Sequence, residues 1–283
     1  MWFYELLSID GLSGLFFLLF LYLAAMVAVV QIKKDTSIAN FAWGGGCLLI
    51  ALYYYVLFPL IEKLTTPASD AALLMPHRGI FLQPFFNRSS LLTFLIVVWA
   101  SRLIIYVYKR YKGDDPRYTS WKQSGAKALF INIGYIFGLQ ALLMIIMAVP
   151  IIGVIAPAGT SSLTYLDFIG LGIWLIGFYF EAVSDNQLFN FTRNSENKGK
   201  VMRYGLWQYS RHPNYFGEVV MWWGIFLIAC NGMGILAIIA PLTITFLLLF
   251  VTGIPWVEKA MSNNPEYQEY KEHTSIFFPW FPK

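Results

Sequence analysis

The densest set of chemically useful side chains lies in Gly205-Leu206-Trp207-Gln208-Tyr209-Ser210-Arg211-His212-Pro213-Asn214-Tyr215-Phe216-Gly217-Glu218. Arg211, His212, Asn214, Tyr215 and Glu218 fall together just before a long apolar run, in a chain with 3 His and 13% charged residues. Pro213 reads as the first residue of a helix, with His212 near its cap. A helix N-terminus offers free N–H groups and a positive dipole end to an anion. Arg211 adds paired donors that fit a phosphate or carboxylate. Asn214 and Tyr215 add directional hydrogen bonds, and Glu218 calls for a donor. A capping turn explains Pro213 but not the whole polar set, so this stretch is expected to hold a polar, anionic ligand.

Other groups stand apart from their surroundings. Glu181 and Asp185 are spaced i, i+4 and so share one helix face. They would meet either basic loop residues or the hydroxyls of a ribose. Arg102 sits within an apolar run, where a cation usually faces a bundle interior or an aqueous cavity, unless it snorkels to the interface. Arg117, in the turn Lys112-Gly113-Asp114-Asp115-Pro116-Arg117-Tyr118, reads either as a phosphate fork or as a topology signal. Asp35 reads first as a helix cap; Asn40 and Trp43, further into the same helix, could reach a cavity. His77, His212 and His273 are far apart, and there is no HExxH, P-loop or GxGxxG opening a βα unit. Hence neither a metal nor a soluble dinucleotide-binding domain is expected. Cys47 and Cys230 lie in apolar runs and read as buried hydrophobes.

What must position these groups is a membrane bundle. The 283 residues are 58% hydrophobic, and the mean hydropathy is +0.58. Soluble domains carry about a quarter charged residues. The net charge of +4 is not that of a nucleic-acid binder. A bilayer-crossing helix needs roughly 20 mostly apolar residues. Runs of that kind fall near 12–30, 38–60, 91–108, 126–155, 163–180, 217–229 and 235–254. The fourth is too long for one straight crossing, so tilt or a break near Pro150 is expected. Glu5 and Asp10 precede the first run and Lys33-Lys34 follow it, which reads as a retained span with the N-terminus outside. Lys and Arg then concentrate in alternate loops, among them Lys109 to Lys127 and Arg193 to Arg211, and in the tail. The expectation is an all-α, polytopic bundle of about seven spans with a cytoplasmic C-terminus. It is a single transmembrane domain over 1–283, with the half from about 163 onward forming a cofactor region on the cytoplasmic side. In a bacterium, that membrane is the plasma membrane.

The set Asp185-Asn186-Gln187, Asn197-Lys198-Gly199-Lys200, Gly205-Leu206-Trp207, Arg211 to Glu218, Tyr267-Gln268-Glu269-Tyr270, Thr274-Ser275 and Phe278-Pro279-Trp280 resembles the DUF1295 group, which is related to steroid 5α-reductases. The resemblance extends to Asp35–Gly44 and Trp99–Tyr118. It implies a helical membrane reductase that binds NADPH on the cytoplasmic side. Asp185 matches an acidic position at the cofactor, and Asn214 and Glu218 match an Asn-x-x-Gly-Glu pattern near the nicotinamide. Arg211 fits an Arg-His-x-Asn-Tyr pattern of related sterol reductases. Arg102, Arg117, Tyr204 and Tyr215 are looser matches, and Glu181 stands where the steroid enzymes carry Asn. The Gln-Glu pair that polarises the steroid ketone has no evident counterpart.

Isoprenylcysteine and phospholipid methyltransferases, which use S-adenosylmethionine, also carry Arg-His-Pro-x-Tyr. Asn214, Glu218 and Asp185 favour the reductase, as does Glu258-Lys259 in place of a Glu-Glu pair. A non-enzymatic lipid-binding protein is a third reading. In the reductase reading, Arg117, Arg193 or Arg211 would hold phosphates, with His212 beside them. A hydrophobic substrate would enter from the bilayer. Asp35, Tyr106 and Tyr118 are the candidate catalytic groups, since a general acid must sit within hydrogen-bond reach. Nothing in the sequence specifies an oligomeric state.

Overall fold

The computed structural model describes residues 9–33, 39–65, 87–111, 125–155 and 162–283. Among them the regular structure is helical, with no strand. The helices are α1 (Ile9–Lys33), α2 (Ala39–Leu52), α3 (Phe58–Thr65), α4 (Arg88–Arg110), α5 (Gly125–Ile155), α6 (Tyr165–Arg193), α7 (Pro213–Met233), α8 (Ile239–Phe246), α9 (Ile254–Ala260) and α10 (Pro265–His273). In a hydrocarbon core every backbone polar group must be satisfied within its own segment, which helices achieve.

Among the described residues, six stretches are long and apolar enough to cross a membrane. The last, Pro213–Ala260, has 48 residues. Straight, it would be about 70 Å long, more than twice the hydrocarbon core. It doubles back instead. Gly234 adopts φ +64, which costs an L-residue dearly. Beyond the turn, Trp223 Nε1 donates to Thr245 Oγ1 at 3.4 Å, across 22 residues of sequence. The hairpin supplies the two passes expected near 217–229 and 235–254. No break occurs at Pro150, which stays inside the continuous 31-residue α5. Of this helix, the 19 residues Phe137–Ile155 are the part long and apolar enough to cross a membrane.

The chain forms two compact units, one of Met1–Leu163 with Gly232–Ala237, the other of Thr164–Asn231 with Ile238–Lys283. In the first, small residues let helices approach, as membrane packing favours. Gly44 lies against Leu103 and Ala100 of α4, and Gly46 against Met144 of α5. A π-helical turn over Tyr53–Leu57 joins α2 to α3. The Tyr53 hydroxyl donates to the Gly11 carbonyl at 3.0 Å, tying this turn to α1.

In the second unit, α6 starts at a capping box. The Thr164 N–H and hydroxyl donate to Asp167 Oδ2 at 2.7 and 3.0 Å, so a fully buried carboxylate is paid in local hydrogen bonds. Helices α6 and α7 then meet glycine to glycine. A Cβ on Gly170 would collide with the Gly224 carbonyl, and one on Gly177 with that of Gly217. The two pairs are seven residues apart on each helix, so α6 and α7 run antiparallel in backbone contact.

Candidate functional site

This contact carries past Gly177 to the end of α6. Glu181, Ser184 and Asp185 are buried there, as the i, i+4 spacing of the two acids predicts for one inward face. A Cβ on Gly217 would strike the Glu181 backbone, so Glu181 lies beside the first turns of α7. Asn214, in the first turn of α7, donates through Nδ2 to Asp185 Oδ1 at 3.3 Å. Its Oδ1 is buried and has no hydrogen-bond partner among the described residues. An amide acceptor left open beside a carboxylate is costly unless something else donates to it. Glu218, half-buried, follows Asn214 by four residues on the same helix.

The chain between α6 and α7 is folded back onto α6. Gly205, at φ +63, packs directly on Gln187, whose Oε1 accepts from the Leu206 N–H at 3.0 Å. Trp207 Nε1 donates to the Ser184 carbonyl at 3.0 Å. These bonds bring residues 209–212 alongside the helix start.

Here Arg211 and His212 have partners of their own. Arg211 is buried, and its Nε donates to Glu258 Oε1 at 3.0 Å. Its Nη1 donates to the carbonyls of Lys271 and Thr274, at 3.0 and 2.8 Å. Glu258 Oε1 also accepts from the Tyr267 hydroxyl at 2.7 Å and lies 3.3 Å from His212 Nε2, while Lys271 Nζ stands 3.3 Å from Oε2. Burial is the largest influence on His212; with help from Arg211 it outweighs Glu258 and lowers the imidazole pKa from 6.5 to about 4. At neutral pH the ring is uncharged, so Nε2 must carry the hydrogen and donate to Glu258. The ring stacks on Tyr215, centroids 5.4 Å apart and 7° from parallel. Burial, then the Glu258 carboxylate, hold the Tyr267 phenol far above its usual ionisation range, so it remains a donor.

The C-terminal residues 274–283 close over this cluster as a strap. Arg211 N–H donates to the Ser275 carbonyl at 2.8 Å, Ser210 Oγ to that of Phe277 at 2.8 Å, and Trp280 N–H to that of Tyr209 at 2.9 Å. The Tyr270 hydroxyl donates to the Trp207 carbonyl beneath it.

The sequence candidates thus separate into groups. Glu181, Asp185, Asn214 and Glu218 share the α6–α7 contact. Arg211 and His212 adjoin it but turn to Glu258, and Tyr215 covers His212. The guanidinium donors expected to meet phosphate are therefore directed, at Nε and Nη1, to a carboxylate and two carbonyls. Arg193 is exposed at the end of α6, over the Phe189 ring at 5.2 Å, and Tyr204 is exposed before Gly205. In the first unit, Arg102 lies over the Tyr106 ring at 6.0 Å, and Arg110 Nη1 donates to the Tyr106 hydroxyl at 3.2 Å. Asp35, Arg117 and Tyr118 lie outside the described residues, as does the side chain of Asn40. Glu258, Tyr267 and Lys271 are the centre that sequence reasoning missed. The available signal was Glu258 itself, an acid at the junction of an apolar run and a polar tail. No group of His, Cys, Asp and Glu suited to a metal occurs among the described residues.

Helical spans and a polar end place the chain among multi-pass membrane proteins. The family described as "Protein of unknown function (DUF1295)" matches residues 26–274, and the chain belongs to it. It is similar to 3-oxo-5-alpha-steroid 4-dehydrogenase 1 of Rattus norvegicus, 35% identical over 111 residues, 39% of this chain and 40% of that protein. The Homo sapiens protein of the same name is 37% identical over 66 residues, 23% of this chain and 26% of its own length. An uncharacterized protein of Schizosaccharomyces pombe is 25% identical over 222 residues, covering 68% of this chain and 64% of that one. The match thus spans well under half the length of these steroid dehydrogenases. No solved structure matches.

Proposed function

We propose that this protein is a membrane-embedded reductase that uses NADPH to saturate a C=C bond in a hydrophobic, steroid-like or other lipid substrate. The observation that carries the reading is Asn214: its Nδ2 is held by Asp185 and its Oδ1 is buried and open. Asp185, Glu181 and Glu218 are acceptors suited to ribose hydroxyls, and the open amide oxygen suits the N–H of a carboxamide. This set of acceptors therefore fits the ribose and nicotinamide of the cofactor. Its phosphates would need a cation, and the exposed Arg193 is one the second unit can offer. The steroid dehydrogenases above act, by name, between carbons 4 and 5 of a 3-oxo steroid, and the reverse of that reaction is the proposed chemistry.

Bound NADPH would supply the hydride to the β-carbon of an activated C=C bond. The α6–α7 backbone contact would fix Asp185 and Asn214 against each other and exclude water between them. Tyr106, Asp35 and Tyr118 remain the candidates from sequence for supplying the proton to the α-carbon. The distribution of Lys and Arg supports a cytoplasmic mouth, where soluble NADPH is available.

The test is titration of the protein in mild detergent with NADPH and, separately, with S-adenosylmethionine, alongside mass spectrometry of any ligand that copurifies. Saturable NADPH binding is expected. Binding of S-adenosylmethionine with none of NADPH would overturn the reading in favour of a methyltransferase. Asn214→Ala should weaken NADPH binding by about tenfold, the worth of one buried hydrogen bond.

A further inference from the structure

The strap 274–283 carries an apolar surface that the bundle does not cover. Ile276, Phe278, Trp280 and Phe281 are 46%, 69%, 70% and 77% exposed. A membrane span explains exposed apolar groups on α6 or α7, but the strap lies beyond the last span and follows the polar helix α10. Its main chain is nevertheless pinned: Ser275 and Phe277 accept from Arg211 and Ser210, Trp280 donates to Tyr209, and Lys283 N–H donates to the His273 carbonyl at 3.0 Å. A pinned main chain with uncovered aromatic side chains calls for an outside partner.

Aromatic contacts link this surface to the outward face of a spanning helix. On α6, Phe168, Ile169, Leu175, Ile176 and Tyr179 are exposed at helical spacing, the outward stripe of a spanning helix. Tyr179 touches Phe180, Phe180 touches Phe216 of α7 at 5.1 Å, and Phe216 touches both Phe277 and Phe278 at 5.7 Å. The strap thus continues the lipid-facing surface of α6 without interruption, at the helix end where α7 begins. Aromatic side chains, Trp above all, prefer the boundary between headgroups and acyl chains. Lys283 at the end of the strap adds a cation that suits phospholipid headgroups.

We infer that the strap is an interfacial foot: Phe278, Trp280 and Phe281 lie in the headgroup–acyl boundary of the bilayer that the spans cross. Because the same strap supplies the carbonyls that hold Ser210 and Arg211, lipid contact on its outer side steadies the polar cluster on its inner side. The inference holds whichever cofactor the protein binds.

It is tested in nanodiscs of mixed neutral and anionic phospholipid. Cys47 and Cys230 are replaced by Ala, and a bimane label is placed in turn at Phe278→Cys, Trp280→Cys and Phe281→Cys. Glu196→Cys, on the exposed turn after α6, is the water-facing control. The strap labels should be quenched several-fold more than the control by lipids carrying a nitroxide at the headgroup, and several-fold less by iodide. Iodide quenching equal to that of the control would overturn the inference. So would shielding from both quenchers, which would mean that a second protein surface covers the strap. Three label sites keep the test decisive if one variant fails to fold.

Discussion

Glycines divide the two units of this protein. In the first unit, a Cβ added at Gly14, Gly45, Gly46 or Gly153 would meet the far end of a side chain: a tyrosine hydroxyl, or the thioether of Met144 or Met233. In the second, a Cβ at Gly170, Gly177, Gly217 or Gly224 would meet the backbone of the facing helix. Flexible ends can move aside and backbone cannot. The first unit is therefore built to tolerate adjustment, and the second to hold a fixed spacing. The fixed spacing lies where Glu181, Asp185 and Asn214 converge, and the buried charge cluster adjoins it. Rigidity is placed beside the polar groups rather than spread evenly.

The largest change should come from Glu258→Ala. It leaves Arg211 buried without its carboxylate and deprives Tyr267 and His212 of their acceptor. Removing one partner of a buried ion pair costs about 3–5 kcal/mol, so thermal unfolding in detergent should begin well below that of the parent. An unchanged midpoint would show that the cluster is not holding the second unit together.

Acidification should act on the same cluster. His212 is neutral when folded, with its pKa lowered to about 4 from 6.5. The unfolded chain therefore takes up the proton first. The stabilisation is complete above pH 6.5 and declines as pH falls toward 4, by up to about 1.4 kcal/mol per pH unit. The groups facing this ring are Glu258, Arg211 and Tyr215. Comparing parent and His212→Gln between pH 7 and 5, above most carboxylate titration, should show the slope in the parent alone.

The glycine contrast has its own test. Gly177→Ala forces backbone apart and should cost about 1–3 kcal/mol. Gly46→Ala meets only the flexible end of Met144, and the gain in helix propensity, up to about 1 kcal/mol, should leave it close to neutral. If both variants unfold alike, the two units do not differ in the way their glycines suggest.

Much of the architecture was legible because bilayer physics writes it plainly. Runs of the right length are spans, and Glu181 and Asp185 at i, i+4 had to share a face. At Pro150 tilt or a break was expected, and of the two the helix shows no break. The site was legible as a place more than as a set of partners. Local spacing marks Arg211 to Glu218, but nothing local says that Arg211 turns to a glutamate 47 residues later. The strap carries the Phe278-Pro279-Trp280 motif, yet its own hydrogen-bonding groups are main-chain and carry no residue signature. Glycine pairing across α6 and α7 was equally silent, since neither helix shows alone what the other brings.

Arg211 also has a history during synthesis. The groups that neutralise or cap it, Glu258, Lys271 and Thr274, are translated 47, 60 and 63 positions after it. Until they emerge, Arg211 has none of these three partners; once Glu258 arrives, it becomes the buried pin on which the finished polar end closes.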